Sequence, residues 1–228
     1  MKIGIIGAMD IEIEDLRQHM ENVVTKTISK VHYHEGTLEG IDVVAAVCGI
    51  GKVNAAVCTQ SMILTYSPDM IINTGVAGGL DSNIVMGDIV ISTEVVQYDY
   101  KIFDAPSGFI QELDMIKIPA SKELIDKFLH AAKKLKHIKI IPGIIASGDQ
   151  FIEDSDKSAK IRSIFNASAV EMEGASIGHT CCLNDIPFCV VRSISDNANE
   201  DSPMEFWEFA KIAAKNSILL MLEFLKII

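Results

Sequence analysis

Short apolar runs rich in β-branched residues alternate with helix-spaced patterns along nearly all of this 228-residue chain. No other feature constrains the fold as much. Strand-like runs cover residues 2–6, 43–47, 70–74, 88–93, 138–147, 168–171 and 188–193. Helical spacing covers 11–22, 52–66, 121–135, 157–165, 174–184 and 203–225, with Ser202 as a predicted cap for the last. In that last segment Phe206, Phe209, Ala210, Ala213, Ser217, Leu220, Met221 and Phe224 recur on one face. A chain of this pattern is predicted to form a single α/β domain over 1–228, with a central twisted mixed sheet flanked by helices on both faces. Ligands of such sheets bind beyond the carboxyl ends of the strands. Function is therefore expected at the junctions 7–12, 49–52, 75–80, 147–152, 171–173 and 192–196.

Charge narrows the partners. A net charge of −11 leaves no basic stripe to neutralise phosphates, which argues against nucleic acid and anionic membranes. The most apolar stretch, 217–228, is short and interrupted by Glu223 and Lys226, so no membrane span is expected. Five cysteines in apolar segments, with no C-x-x-C pair, read as reduced core thiols. The chain opens directly on a strand pattern rather than a signal peptide. A cytoplasmic protein is expected.

Glu171, Glu173, Arg192 and Asp196 stand at the ends of two runs that otherwise read as buried strands. Burying charge there is costly unless it is paired or used, so these four mark a site that grips a polar small molecule and gives it a proton. Other junctions are weaker in isolation. Asp10 and Glu12 suit the positive end of a helix. Gly49-Ile-Gly-Lys52 has neither the spacing nor the hydroxyl of a phosphate loop, and Gly4-Ile-Ile-Gly7 lacks the dinucleotide fingerprint. Gly75-Val-Ala-Gly-Gly79 reads as a strand opening into a glycine-rich loop, able to meet a phosphate or a flat base edge. The six histidines are scattered, with His32 and His34 on a hairpin strand, so neither a metal site nor a metal cofactor is expected. No G-x-S-x-G elbow is present. What remains is Glu12, Glu173 and Asp196 with one arginine. Glycosidic cleavage needs such a set: one carboxylic acid for the leaving group, one carboxylate for water, and negative charge near an oxocarbenium-like ring.

Six ordered strings carry a family resemblance. They are Ile3-Gly-Ile-Ile-Gly-Ala-Met9 with Glu12, Gly49-Ile-Gly-Lys-Val-Asn-Ala-Ala56, Ile71-Ile-Asn-Thr-Gly75, Ser147-Gly-Asp149 with Phe151-Ile152, Ala169-Val-Glu-Met-Glu173, and Val190-Val-Arg-Ser-Ile-Ser-Asp196. Together the chain resembles the 5'-methylthioadenosine/S-adenosylhomocysteine nucleosidases of the nucleoside phosphorylase fold. The resemblance implies that Asp196 protonates N7 of adenine and that Glu12 activates the attacking water. It implies that Glu173 holds the ribose hydroxyls, with Met172 against the sugar and Arg192 near the water and Glu12. Phe151 would stack on adenine and the backbone of Ile152 would read its edge. Met9, Ile50 and Phe206 would line the sugar and 5'-substituent region, and Val76, Gly78 and Ser195 complete the expected substrate contacts. It further implies a homodimer, a small nucleoside as partner and no cofactor.

Two positions depart from the family pattern. Val76 stands where many relatives carry a serine that helps hold the water. Residues 98–113, beginning Tyr98-Asp-Tyr-Lys, differ from a segment that caps the 5' end of the substrate across the dimer. Three other readings stay open: a nucleosidase for another adenine nucleoside such as aminodeoxyfutalosine, a phosphorylase of the same fold, and a binding module with lost catalysis.

Overall fold

The computed structural model describes residues 1–199 and 201–228, the side chain of Ser202 excepted, so the expected Ser202 cap lies outside the described residues. In chain order the elements are β1 (Lys2–Gly7), α1 (Asp10–His19), β2 (Glu21–Ile28), β3 (Val31–Leu38), β4 (Ile41–Val47), α2 (Lys52–Tyr66), β5 (Met70–Gly79) and β6 (Ile89–Gln97). They continue with β7 (Ile118–Pro119), α3 (Lys122–Ala132), β8 (Ile140–Ser147), α4 (Ser155–Phe165), β9 (Ala167–Glu171), α5 (Gly174–Leu183), β10 (Phe188–Asp196) and α6 (Ser202–Leu225).

The strands form one mixed sheet in the order β10-β6-β8-β9-β5-β1-β4-β3-β2, and β10 also pairs with β5. That extra pairing bends β5, β10, β6, β8 and β9 into a closed ring, and β1, β4, β3 and β2 continue outward from it as an open sheet. Parallel pairing joins β1 to β4 and β5, β10 to β5, and β8 to β6 and β9. Strands buried on both sides explain the continuous apolar runs. Ile6, Ile71 and Val190 pack on the side of α2 and α5. Ile3, Ile5, Ile72 and Val191 pack on the other side, with Phe128 of α3 and Phe224 of α6. Those two rings stack at 4.0 Å between centroids. Ser217 sits on the apolar face of α6 because its hydroxyl donates to the Gly75 carbonyl at 2.9 Å.

Several expected boundaries shift. The first helix stops at His19 rather than residue 22, because Glu21 already pairs with Thr37 and Asn22 takes a left-handed φ of 54°. The β2 strand carries no alternating pattern, since nearly all of it is exposed. The expected glycine-rich loop after residue 74 is strand: β5 runs on to Gly79, pairing with β10 through Gly78 and with β9 at Gly78 and Gly79. Glycine is required at Gly75, where a Cβ would meet the Arg192 guanidinium and the Glu12 carboxylate. Likewise β10 continues to Asp196, with a bulge between Ile194 and Asp196. Such bulges re-aim side chains beside sites. Among the described residues, no helix is long and apolar enough to cross a membrane.

Candidate active site

Where β1, β9 and β10 end, the walls line an open-mouthed cavity of about 100 Å³. Met9, Glu12, Ile50, Val76, Gly78, Phe151, Met172, Glu173, Ser195, Asp196 and Phe206 all line it, and Ile152 lines a recess that continues from it. Residues from seven separate segments thus meet at one place.

Glu12 occupies the first turn of α1, and its side chain turns back to accept from the amides of Ala8 at 2.7 Å and Met9 at 2.9 Å. A third donor, the Val76 amide, reaches its other oxygen at 2.9 Å. The helix-capping reading of Glu12 and the cavity reading therefore both hold. A carboxylate offers about four acceptor sites, so three amides leave room for one more donor from the cavity. Burial raises the pKa of Glu12 despite the opposing Arg192 charge, whose Nη1 lies 3.8 Å from Oε1, and despite the three amides.

Arg192 differs from expectation. It is fully buried but is not part of the cavity wall, standing instead behind the carboxylates. Its Nη2 donates to Asn73 at 2.6 Å, to Glu171, and to Glu173 at 3.4 Å. Glu171, one of the four charges that marked the site in the sequence but was given no separate role there, is the main partner and also lines the cavity. It also accepts from Ser147 Oγ and from the amides of Glu173 at 3.0 Å and Gly174 at 2.8 Å. Its oxygens are occupied by protein donors, so it acts as the counter-charge that keeps Arg192 in place. Asn73, to which the sequence reading gave no role, links Arg192 to the sheet by donating to the Ile6 carbonyl at 2.8 Å. A polar residue inside Ile71-Ile-Asn73 was the available signal.

Glu173 follows β9 directly and accepts from the Gly51 amide at 2.8 Å, which fixes its carboxylate over the cavity. Burial, then the neighbouring Glu171, push it up to about 8, against the pull of Arg192 and the Gly51 amide. On another wall, Asp196 sits at the end of β10, 2 % exposed. The Ala198 amide donates to its Oδ1 at 3.0 Å, an Asx-type turn, and Ser195 Oγ lies 2.9 Å from Oδ2. Gly78 leaves room for it, since a Cβ there would come 2.9 Å from Oδ1.

Apolar residues close the rest. Phe151 and Phe206 meet edge to face at 5.7 Å, with an interplanar angle of 81°. The side chain of Val76 packs with Ala213, Ala214, Met9 and Phe206, and brings no hydroxyl to the cavity. Buried carboxylates on different walls, with three glutamates around a single guanidinium, suit acid–base work on a neutral or cationic ring. They disfavour an anionic co-substrate.

The model of the phosphorylase superfamily matches residues 2–226. The 5'-methylthioadenosine/S-adenosylhomocysteine nucleosidase of Shewanella halifaxensis is 42% identical over 229 residues, with 99% of each chain covered. The solved structure of the Neisseria meningitidis nucleosidase of the same name, in complex with methylthio-immucillin-A, is 39% identical and superposes with a TM-score of 0.97, covering 100% of this chain and 99% of that one. Helicobacter pylori futalosine hydrolase is 36% identical with a TM-score of 0.93, covering 98% and 96%.

Proposed function

The chain belongs to the 5'-methylthioadenosine/S-adenosylhomocysteine nucleosidases of the phosphorylase superfamily, and on that premise we propose that it hydrolyses the N-glycosidic bond of these two nucleosides. The observation that carries the reading is the pairing of Glu12 and Asp196 as buried carboxylates lining one cavity. Adenine lies in the recess beside Phe151 and Ile152, with Asp196 at its N7. Asp196 gives N7 a proton, the C1'–N9 bond breaks, and its electron pair leaves with the purine. Water adds its oxygen to C1' and loses its proton to Glu12. Attack from the face opposite the base gives inversion. Glu173 accepts the ribose hydroxyls and its negative charge favours the oxocarbenium-like transition state. Arg192 acts from behind, holding Glu12 and Glu173 through its ion pairs.

Water rather than phosphate is the nucleophile because three glutamates surround one arginine there. A phosphate dianion in that position would find the guanidinium already paired with Glu171. The five cysteines are free thiols, which suits a cytoplasmic enzyme. A homodimer is supported by exposed apolar residues: on α2, Val53 and Leu64 are each 74% exposed, and Phe103 is 92% exposed. Ile50, at the rim, is both cavity lining and 55% exposed, so a partner laid over α2 would cover the mouth. Likeness to futalosine hydrolase supports a second reading, an adenine nucleoside with a larger 5' group.

Adenine release from methylthioadenosine, adenosylhomocysteine, aminodeoxyfutalosine and adenosine, with and without phosphate, tests these readings. Phosphate-independent release from the first two is expected. A ribose 1-phosphate product would overturn hydrolysis, and a clear preference for aminodeoxyfutalosine would favour the second reading.

A further inference from the structure

Two of the strings that resemble the family, Gly49-Ile-Gly-Lys52 and Ser147-Gly-Asp149, contain charged residues to which the chemistry above gives no task. The structure brings them together. Asp149 Oδ1 accepts from the Lys52 amide at 2.8 Å, capping the start of α2 from a different segment of the chain. The Asp149 amide in turn donates to Asp99 Oδ2 at 2.9 Å. Asp99 closes the circuit: its Oδ1 accepts from Lys52 Nζ at 2.6 Å. Lys52 Nζ also reaches Gln97 Oε1 at 3.2 Å, and the Lys52 carbonyl accepts from Ser176 Oγ at 2.7 Å.

This ring stands next to both halves of the cavity. One residue before Lys52, the Gly51 amide holds Glu173. Two residues after Asp149 comes Phe151, and then Ile152. Tyr98 supports the same loop from below: its amide donates to the Ser147 carbonyl at 3.0 Å, and its ring occupies the space that a Cβ on Gly148 would need. Tyr98, a departure from the family pattern, therefore serves the loop that carries Phe151. The ring residues are partly shielded, with Lys52 and Asp99 side chains 17% and 27% exposed, so their ion pair is less screened than a surface pair.

We propose that Lys52, Asp99 and Asp149 are positioning residues, forming a closed ring that sets the base-holding loop of Phe151 and Ile152 at a fixed distance from the ribose-holding carboxylate of Glu173. This rests on the reading above that these groups hold the two halves of an adenine nucleoside. None of the three lines the cavity or its recess. Their effect is on geometry: breaking the ring lets base and sugar bind out of register, a misplacement that costs rate as well as affinity.

The test compares wild type with Asp99→Asn, Lys52→Met and the double variant, all close in shape to the original. Readouts are adenine affinity, kcat and KM for methylthioadenosine release, and amide hydrogen exchange. Each single variant is expected to weaken adenine binding and lower kcat/KM by about fivefold or more, the worth of one charge-assisted hydrogen bond. The double variant is expected to be no worse than the poorer single one, because either change opens the same ring. Exchange should quicken at residues 50–52 and 148–152 and stay unchanged in β1 and β4. Full adenine affinity, or unaltered exchange in both segments, overturns the ring. Wild-type protein that neither binds adenine nor releases it would overturn the proposed function instead, while the exchange data still decide whether the ring holds the two segments.

Discussion

The amide of Val76 donates to Glu12 Oε1 at 2.9 Å. The residue that brings no hydroxyl to the cavity thus still supplies one of the donors that orient the base. Its backbone keeps a role that its side chain cannot take. In the proposed reaction, water placement then rests on Glu12 with Arg192 behind it.

Val76→Ser is expected to raise kcat by about two- to tenfold, the worth of one added hydrogen bond of about 0.5–1.5 kcal/mol. The same change removes methyl groups packed against Ala213 and Ala214, so thermal stability should fall by about 1–2 kcal/mol. Steady-state rates and urea unfolding on the one variant check both. An unchanged kcat would show that Glu12 already holds the water fully.

Asp196→Asn keeps an oxygen for the Ala198 amide but no longer has a proton of the right acidity to give. Turnover should drop by about 10²–10⁴-fold, the usual share of general acid catalysis. Adenine affinity should change much less. Single-turnover adenine release and calorimetric binding separate the two, and a variant of near-normal rate would remove Asp196 from the acid role.

The pKa of Glu173, about 8 against an ordinary 4.5, has a signed consequence. The folded state binds this proton more tightly than the unfolded chain does. Its stabilising contribution is complete below the unfolded value and is lost as pH rises through about 8. Tm of the ligand-free protein should therefore decline across that window, and Glu173→Gln should flatten the decline. Accepting ribose hydroxyls requires the carboxylate, so kcat/KM should rise over the same range. Thermal melts and initial rates from about pH 5 to 9 test this.

Arg192→Met leaves Glu12, Glu171 and Glu173 buried without their cation. Loss of about 3–5 kcal/mol of stability is expected. Adding Glu171→Gln should recover part of it, because one uncompensated charge disappears. Equal stability of single and double variants, by denaturant unfolding, would contradict the pairing described.

In the proposed dimer, Val53→Glu places charge in the exposed apolar stripe of α2. Sedimentation should shift from dimer to monomer, with KM for the 5'-thio substrates rising as the cavity mouth loses its cover. A variant that sediments like wild type would place the dimer contact elsewhere.

The α/β class, the six helices and the strand-end location of the site were legible in the chain because burial on both faces writes continuous apolar runs and helical faces directly into residue order. Glu173 and Asp196 stood out for a related reason, as charges where an apolar strand ends, whereas Glu12 read in isolation as a helix-end charge and joined them through the carboxylate set and the family resemblance. The β2 strand was not legible, since an exposed strand needs no apolar alternation. Neither was the strand character of Gly75–Gly79, which exists because β9 and β10 hydrogen-bond to it and because Arg192 and Glu12 fill the space beside it. Arg192 shows the division most clearly. Its type and position in the run announced a buried charge, but its choice of Glu171 over the cavity depends on Asn73, Ser147 and the start of α5, contributed by distant parts of the chain. Residue order records which groups must be buried or capped. Only folding decides which of them meet, because hydrogen-bond and charge partners are selected by distances of a few ångströms between segments far apart in the chain, 119 residues for Arg192 and Asn73 and 122 for Gly51 and Glu173.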